Sequence, residues 1–354
     1  MSVKVIKFSK ALKEATALGQ KKQLLLGNGF SIGGHSSFSY GTLLEQARKD
    51  HLPKHFEALF IRYGNDFEDI LKYLDEGVFL ANLYKLKKDT KVTYDMRRDY
   101  KKLRNVLVKT ISDNHPDFPN KITDEKFDSC LKFLKNFDAV FTLNYDLLLY
   151  WASLHIDEKQ GEVFPFRDGF CREDDPDDPD CSFSASSIGS KPYIFFLHGA
   201  LHLYTEKGLV WKRVYNTNVI PIIDQVRIAF ESKQYPLFVA EGSSVHKMKK
   251  IESSSYLSNA LRKFKNLQGH LFIYGHSLCE QDYHIFNSIV HSFKLSHLWI
   301  GLYGGVKKKE NLDIVLKAQS LIEKRNEIIP KAMKKKGAGE LNIAFFESSS
   351  ANVW

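Results

Sequence analysis

Short apolar runs rich in branched and aromatic side chains recur along the chain. They are Gln23–Leu26 (QLLL), Ala139–Thr142 (AVFT), Tyr193–Leu197 (YIFFL), Leu237–Ala240 (LFVA), Leu271–Tyr274 (LFIY), Leu298–Tyr303 (LWIGLY) and Ile343–Phe346 (IAFF). None alternates apolar with polar, so each reads as a strand buried on both faces. Helical patterns lie between many of them. The clearest runs from Tyr256 to Leu267, with Tyr256, Leu257, Ala260, Leu261, Phe264 and Leu267 on one face and Ser255 suited to cap it. Apolar strands alternating with helices predict an α/β, Rossmann-like fold: a mostly parallel sheet with helices on both faces.

Two stretches break the rhythm. From about Gly41 to Asp138 the chain is charged and helical in pattern, with DFEDILKYL inside it. It reads as a helical insertion between the first and second core strands, within a single domain spanning residues 1–354. Arg167 to Ser190 is rich in Asp, Pro and Ser and reads as an acidic mobile loop. It lacks the spacing of an EF-hand calcium loop.

The polar residues gather at the strand ends. The first strand runs into Gly27-Asn28-Gly29-Phe30-Ser31-Ile32-Gly33-Gly34, and the second into Leu143-Asn144-Tyr145-Asp146. The third runs into His198-Gly199, the fourth into Glu241-Gly242-Ser243-Ser244, and the fifth into Gly275-His276-Ser277 and on through Asp282 and His284. In a parallel sheet these C-terminal ends share one edge, and ligands bind in the crevice outside it. A glycine-rich turn offers backbone N–H groups to a phosphate or pyrophosphate. Each residue also has a plainer reading. The glycines suit a tight strand-to-helix turn, Asn144 and Asp146 suit a helix cap, and His198 suits a hydrogen-bonded core histidine. Asp66 and Glu68 suit a solvated helix face. The combination, rather than any single residue, points to a ligand site.

Composition narrows the setting. Of 354 residues, 43% are hydrophobic and 26% charged, an ordinary globular balance. No apolar run approaches the ~18 residues that span a bilayer. The first residues lack the apolar core of a signal peptide, so the expected location is the cytoplasm, with no membrane contact. Cys130, Cys171, Cys181 and Cys279 form no CxxC pair, so no structural zinc site, and no other metal, is expected. Cys171 and Cys181 flank the acidic loop; in a reducing compartment they read as free thiols. A formal net charge of +9 permits contact with nucleic acid or another polyanion without demanding it.

The ordered motifs resemble the sirtuin superfamily. A glycine-rich turn followed by Ser (Gly27–Ser31), a T-x-N-x-D motif (Thr142, Asn144, Tyr145, Asp146), L-H-G (Leu197, His198, Gly199) and a late G-x-S (Gly275, His276, Ser277) stand in that family's order. The two CxxC pairs of the sirtuin zinc module are absent, and GGHSSFSYGTLL replaces the family's G-I-P-D-F-R. The chain is more similar to divergent bacterial sirtuin-like proteins of anti-phage defence, which NDFEDIL, EGSSVHK and GHSLCEQDYHI also fit.

That resemblance implies an NAD+ glycohydrolase that depletes NAD+ in an infected cell, with NAD+ as substrate. It implies a homo-oligomer, and in some members a hexameric HerA-type ATPase partner. Asn144 and His198 would be catalytic. Gly27, Asn28, Gly29, Phe30, Ser31, Thr142, Tyr145, Asp146, Gly199, Gly275, His276, Ser277, Asp282 and His284 would bind the dinucleotide. Two other functions stay open: an NAD-dependent protein deacylase, and a module that senses NAD+ or an NAD-derived nucleotide without turnover.

Overall fold

The computed structural model describes residues 3–50, 52–84, 91–157, 162–163, 166–171, 180–188, 192–214, 220–232, 234–240, 243–334 and 339–354. Seven strands form one sheet: β1 (Val5–Lys7), β2 (Lys22–Leu26), β3 (Ala139–Thr142), β4 (Tyr193–Phe196), β5 (Gly269–Tyr274), β6 (Leu295–Leu302) and β7 (Asn342–Glu347). Their spatial order is β1-β7-β6-β5-β2-β3-β4. Every neighbouring pair is parallel. The chain is therefore an α/β, Rossmann-like protein.

Helices cover both faces, and the unalternating strands make this necessary. On one face Phe8 of α1 (Phe8–Ala17) meets Phe133, Phe272 and Phe346. On the other, Phe141 of β3 packs edge-on against Phe264 of helix Ser255–Phe264. Leu24, Leu25, Val140 and Phe141 have no exposed surface.

The chain passes from β2 to β3 and β4 on one side, then returns to β5 on the other side of β2. The order reverses beside β2, which is where a doubly wound sheet opens a crevice. Between β2 and β3 run α2 (Asn28–Gly34), α3 (Tyr40–Asp50), α4 (Glu57–Tyr63), α5 (Phe67–Leu83), α6 (Lys91–Asn114) and α7 (Asp124–Leu134). The expected insertion is thus helical in its described residues. Its last helix, α7, belongs to the sheet's own cover, since Phe133 stacks near Phe8 and Tyr274.

One expected core strand lies elsewhere. The run Leu237–Ala240 supplies Pro236–Phe238, which pairs antiparallel with Gly199–Glu206 in a second sheet. That sheet has the order Pro236–Phe238, Gly199–Glu206, Leu209–Lys212, Cys181–Phe183, Phe170–Cys171. Gly199, at φ +78° and packed against the carbonyl of Leu237, turns the chain out of the parallel sheet directly after β4. Glu241 and Gly242, expected at the end of that strand, lie outside the described residues.

The acidic stretch is similarly divided. Its flanks Phe170–Cys171 and Cys181–Phe183 are paired strands, and residues 172–179 and 189–190 lie outside the described residues. Cys171 and Cys181 are free thiols. The helix expected from Tyr256 begins at Ser255, with Ser254 rather than Ser255 accepting the N–H of Leu257. No helix among the described residues is long and apolar enough to cross a membrane.

Candidate active-site cleft

A cleft of about 250 Å³ opens at the C-terminal ends of β2, β3 and β5, at the reversal of strand order. Its floor is two glycine turns pressed together. Gly29 N–H donates to the carbonyl of Gly275 at 2.8 Å. A Cβ on Gly27 would sit 2.7 Å from that same oxygen, and one on Gly275, at φ +71°, would sit 2.7 Å from Phe30 N. These glycines are needed for turn-on-turn contact. Phe30 N–H is also spent, on Gly27 O at 2.9 Å. The turn is therefore a less open phosphate cradle than its sequence suggests.

The wall beyond β3 is held by neutral hydrogen bonds around one carboxyl. Asn144 Nδ2 donates to Gly27 O at 3.0 Å and to Ser31 Oγ at 2.8 Å. A carbonyl only accepts, so this contact fixes which end of the amide is nitrogen. Asn144 Oδ1 has no hydrogen-bond partner among the described residues and is the end left for the cleft. Ser31 Oγ donates in turn to Asp146 Oδ2. Asp146 Oδ1 accepts Leu148 N–H at 2.8 Å, at the start of α8 (Leu148–Leu154). Burial raises the Asp146 carboxyl, and the Ser31 and Leu148 bonds oppose that rise. Asp146 is thus both cap and anchor, tied to Asn144 through Ser31.

The opposite wall is charged. Lys247, on α9 (Ser244–Glu252), has no exposed surface, and its Nζ lies 2.6 Å from Glu68 Oε2 and 2.8 Å from Asp282 Oδ1. Burial disfavours the ammonium, but Asp282 and Glu68 more than restore it, and Lys247 stays charged. Burial likewise works against the Asp282 carboxylate; Lys247 and His276 hold it well below its ordinary range. His276 accepts Leu278 N–H on Nδ1 at 2.8 Å, so its Nε2 carries the proton given to Asp282 Oδ2 at 2.9 Å. Glu68 reaches Tyr145 OH at 2.9 Å, and that hydroxyl also meets Val239 O at 2.7 Å.

His198 stands between these walls with 1% of its surface exposed. Its Nε2 lies 3.0 Å from His284 Nε2 and 3.8 Å from Asp282 Oδ1. Burial, helped by Lys247 and the neighbouring histidines, holds His198 well below its ordinary range against the pull of Asp282. It is a neutral imidazole at physiological pH. Asp66, at the start of α5, borders the cleft; burial, with Glu68 and Asp69 beside it, pushes its carboxyl up to about 7. Ile32, Phe38, Leu107 and Ile111, from α2, the turn after it and α6, give the cleft an apolar side.

Most of the expected site residues gather here. Gly27, Asn28, Gly29, Asn144, Tyr145, Asp146, His198, Gly275, His276, Ser277 and Asp282 all border the cleft. Five expected residues are not among those lining it. Phe30 is fully buried against Trp354, with ring centroids 4.9 Å apart. Ser31 and Thr142 are buried behind Asn144, Thr142 Oγ1 accepting its backbone N–H at 3.1 Å. Gly199 serves the exit turn, and His284 lies buried behind His198. The plainer reading of Asp66 and Glu68 as a solvated face also fails. Lys247 closes the EGSSVHK motif but is not among the expected site residues. Its signal is its place four residues before buried Ile251, on the core face of α9.

Among the described residues, two side-chain groups have donor atoms close enough to share a metal ion: His198, Asp282 and His284, and His276, Cys279 and Asp282. Both depend on Asp282, whose charge Lys247 already balances. The Cys279 thiol is pushed up by burial and by Asp282, away from the thiolate a metal needs. The donor chemistry fits an internal ion-pair network better than a metal centre.

The sequence matches the DUF4917 family model, described as a domain of unknown function, over residues 24–354. The chain belongs to the DUF4917 family. The matched region starts inside β2 and takes in every residue lining the cleft, so the cleft is part of the DUF4917 unit. A search of curated proteins returns no match for this DUF4917 chain.

Proposed function

We propose that this DUF4917 protein hydrolyses the nicotinamide–ribose bond of NAD+. The observation that carries the reading is the pairing of Asn144 and His198 at one crevice. An amide whose nitrogen is anchored and whose oxygen is uncommitted faces the same space as a buried neutral imidazole.

The leaving nicotinamide departs neutral as its ring nitrogen takes the bonding electron pair. No acid is needed to protonate it, unlike the oxygen of an ordinary glycoside. What remains is to hold the ribose, stabilise an oxocarbenium-like carbon and aim a water. Asn144 Oδ1 accepts a hydrogen from that water or from a ribose hydroxyl. As the water oxygen bonds to the ribose carbon, His198 takes its proton and later returns it to solvent. The products are nicotinamide, ADP-ribose and one proton. Asp282, 3.8 Å away, stabilises the imidazolium that forms. The apolar side from α2 and α6 limits competing water.

The wider setting is part of the proposal: a homo-oligomeric effector that lowers NAD+ in infected bacteria, alone or with a HerA-type ATPase. The test is nicotinamide release from NAD+ by purified protein, beside Asn144→Ala and His198→Ala with folding checked by circular dichroism. The expected result is release by the wild type and a loss of about 10² or more in both variants. Binding without release would replace the hydrolase by an NAD+ sensor. Release only with an acyl-lysine peptide would replace it by a deacylase.

A further inference from the structure

His284 and Asp282 enter the proposed hydrolysis only through His198. We propose that they are positioning residues that hold His198 in one tautomer, with the proton on Nε2 and the Nδ1 lone pair left for the cleft. The catalytic part of this inference rests on the hydrolase reading; the tautomer itself does not.

Counting protons decides between the tautomers. His198 Nε2 and His284 Nε2 are 3.0 Å apart, so one proton lies between them and one ring must donate it. Asp282 Oδ1 is 3.8 Å from His198 Nε2, whereas no carboxylate oxygen of the described residues lies within 4.0 Å of a His284 ring nitrogen, Asp282 approaching it only within 4.8 Å. A carboxylate favours the N–H on the nitrogen nearest to it. His198 is therefore the donor, its N–H directed to His284 Nε2 and flanked by Asp282. His284 must then carry its own proton on Nδ1, and Ser244 Oγ lies 3.3 Å from that atom. The same oxygen accepts His284 backbone N–H at 2.9 Å, and a hydroxyl has two lone pairs for the two donors.

The consequence falls on the other side of His198. With Nε2 committed, the basic nitrogen is Nδ1, which has no hydrogen-bond partner among the described residues. The charged groups around the pair act in opposite directions. Asp282 favours a positive His198, Lys247 and His276 oppose it, and Glu68 acts from behind Lys247. The net result is a histidine neutral at rest whose proton-accepting atom is chosen by its neighbours.

The test uses the full chain labelled with ¹⁵N-histidine. Long-range ¹H–¹⁵N spectra distinguish a protonated from a lone-pair ring nitrogen, and the His198 signals are assigned by their loss in His198→Asn. The expected wild-type spectrum has a protonated Nε2 and a lone-pair Nδ1. His284→Phe removes the acceptor, so a second tautomer should appear and kcat for nicotinamide release should fall about 10- to 100-fold with KM little changed. That is less than the roughly 10²–10⁴-fold loss of an acid–base group itself. His284→Gln keeps an acceptor oxygen near the same place and should retain both the tautomer and most of kcat. A mere packing role predicts the opposite order, or equal losses.

A wild type protonated at Nδ1 overturns the proposal. So does a His284→Phe protein with an unchanged His198 spectrum and unchanged kcat. If His284→Phe does not fold, the wild-type spectrum and His284→Gln decide. If the wild type releases no nicotinamide, the hydrolase reading fails while the spectrum still decides the tautomer.

Discussion

The two walls of the cleft solve one problem differently. Each must keep a buried carboxylate at the edge of a hydrophobic sheet. The wall beyond β3 surrounds Asp146 with neutral donors, Ser31 Oγ and Leu148 N–H, all from segments that directly follow core strands. The wall opposite sets Asp282 against a buried ammonium, Lys247, and completes the charge with Glu68 from the insertion. The first wall is local and modest in energy. The second is assembled from three distant segments and is an all-or-none arrangement, because removing one ion leaves the others buried and unpaired. The insertion is therefore bound into the site through a charge.

The largest effect that separates the walls is expected from Lys247→Met. Loss of the ammonium leaves Asp282 without its main counter-charge and should cost about 3–5 kcal/mol of stability. Chemical unfolding followed by circular dichroism measures this. Adding Asp282→Asn and Glu68→Gln to the same chain should restore part of the loss, since an uncharged network no longer needs a counter-ion. A cost under about 1 kcal/mol would mean that water reaches Lys247, and the contrast between the walls would collapse.

Asp66, beside Glu68, gives the charged wall a pH dependence. Its carboxyl is pushed up to about 7 from an ordinary 3.8. The folded chain thus holds a proton that the unfolded chain has released. Stability from this group is greatest below the unfolded value and falls as pH rises toward about 7. Asn caps a helix as well as Asp, so Asp66→Asn keeps the acceptor for Glu68 N–H while removing the charge. It should stabilise the protein by on the order of 2 kcal/mol at pH 8 and by almost nothing at pH 4. Thermal melts across that range supply the comparison. An unchanged difference between variant and wild type at both ends would place Asp66 in water.

The same contrast governs what the sequence discloses. β2 and β3 are legible because unbroken apolar runs have few other uses, and Asn144 and His198 stand out as polar residues at the tips of such runs. The run at Leu237 looks the same yet pairs antiparallel, because hydrophobicity records burial and not the neighbour. β1, three residues long, is too short for a pattern. The neutral wall could be read almost entirely, since Ser31, Asn144 and Asp146 lie in recognisable turns. The charged wall could not. Lys247 meets Glu68 across 179 residues and Asp282 across 35, and no local periodicity reports a contact at that range.

The smallest of these effects tests the neutral wall directly. Ser31→Ala removes the hydroxyl that accepts from Asn144 and donates to Asp146. Asp146 keeps Leu148 N–H, and Asn144 keeps Gly27 O, so neither is stranded. The stability cost should be about 1–2 kcal/mol, well short of the Lys247 value. Function should respond as well. With one of its two anchors gone, the Asn144 amide can turn, and its oxygen is no longer held at the cleft. Nicotinamide release should then fall severalfold in kcat while the fold survives. Ser31→Thr, which retains a hydroxyl, should recover activity if its extra methyl is accommodated beside Asp146. A Ser31→Ala protein with full activity would show that Gly27 O alone orients the amide, and the chain from Asn144 through Ser31 to Asp146 would then be a matter of folding and not of chemistry.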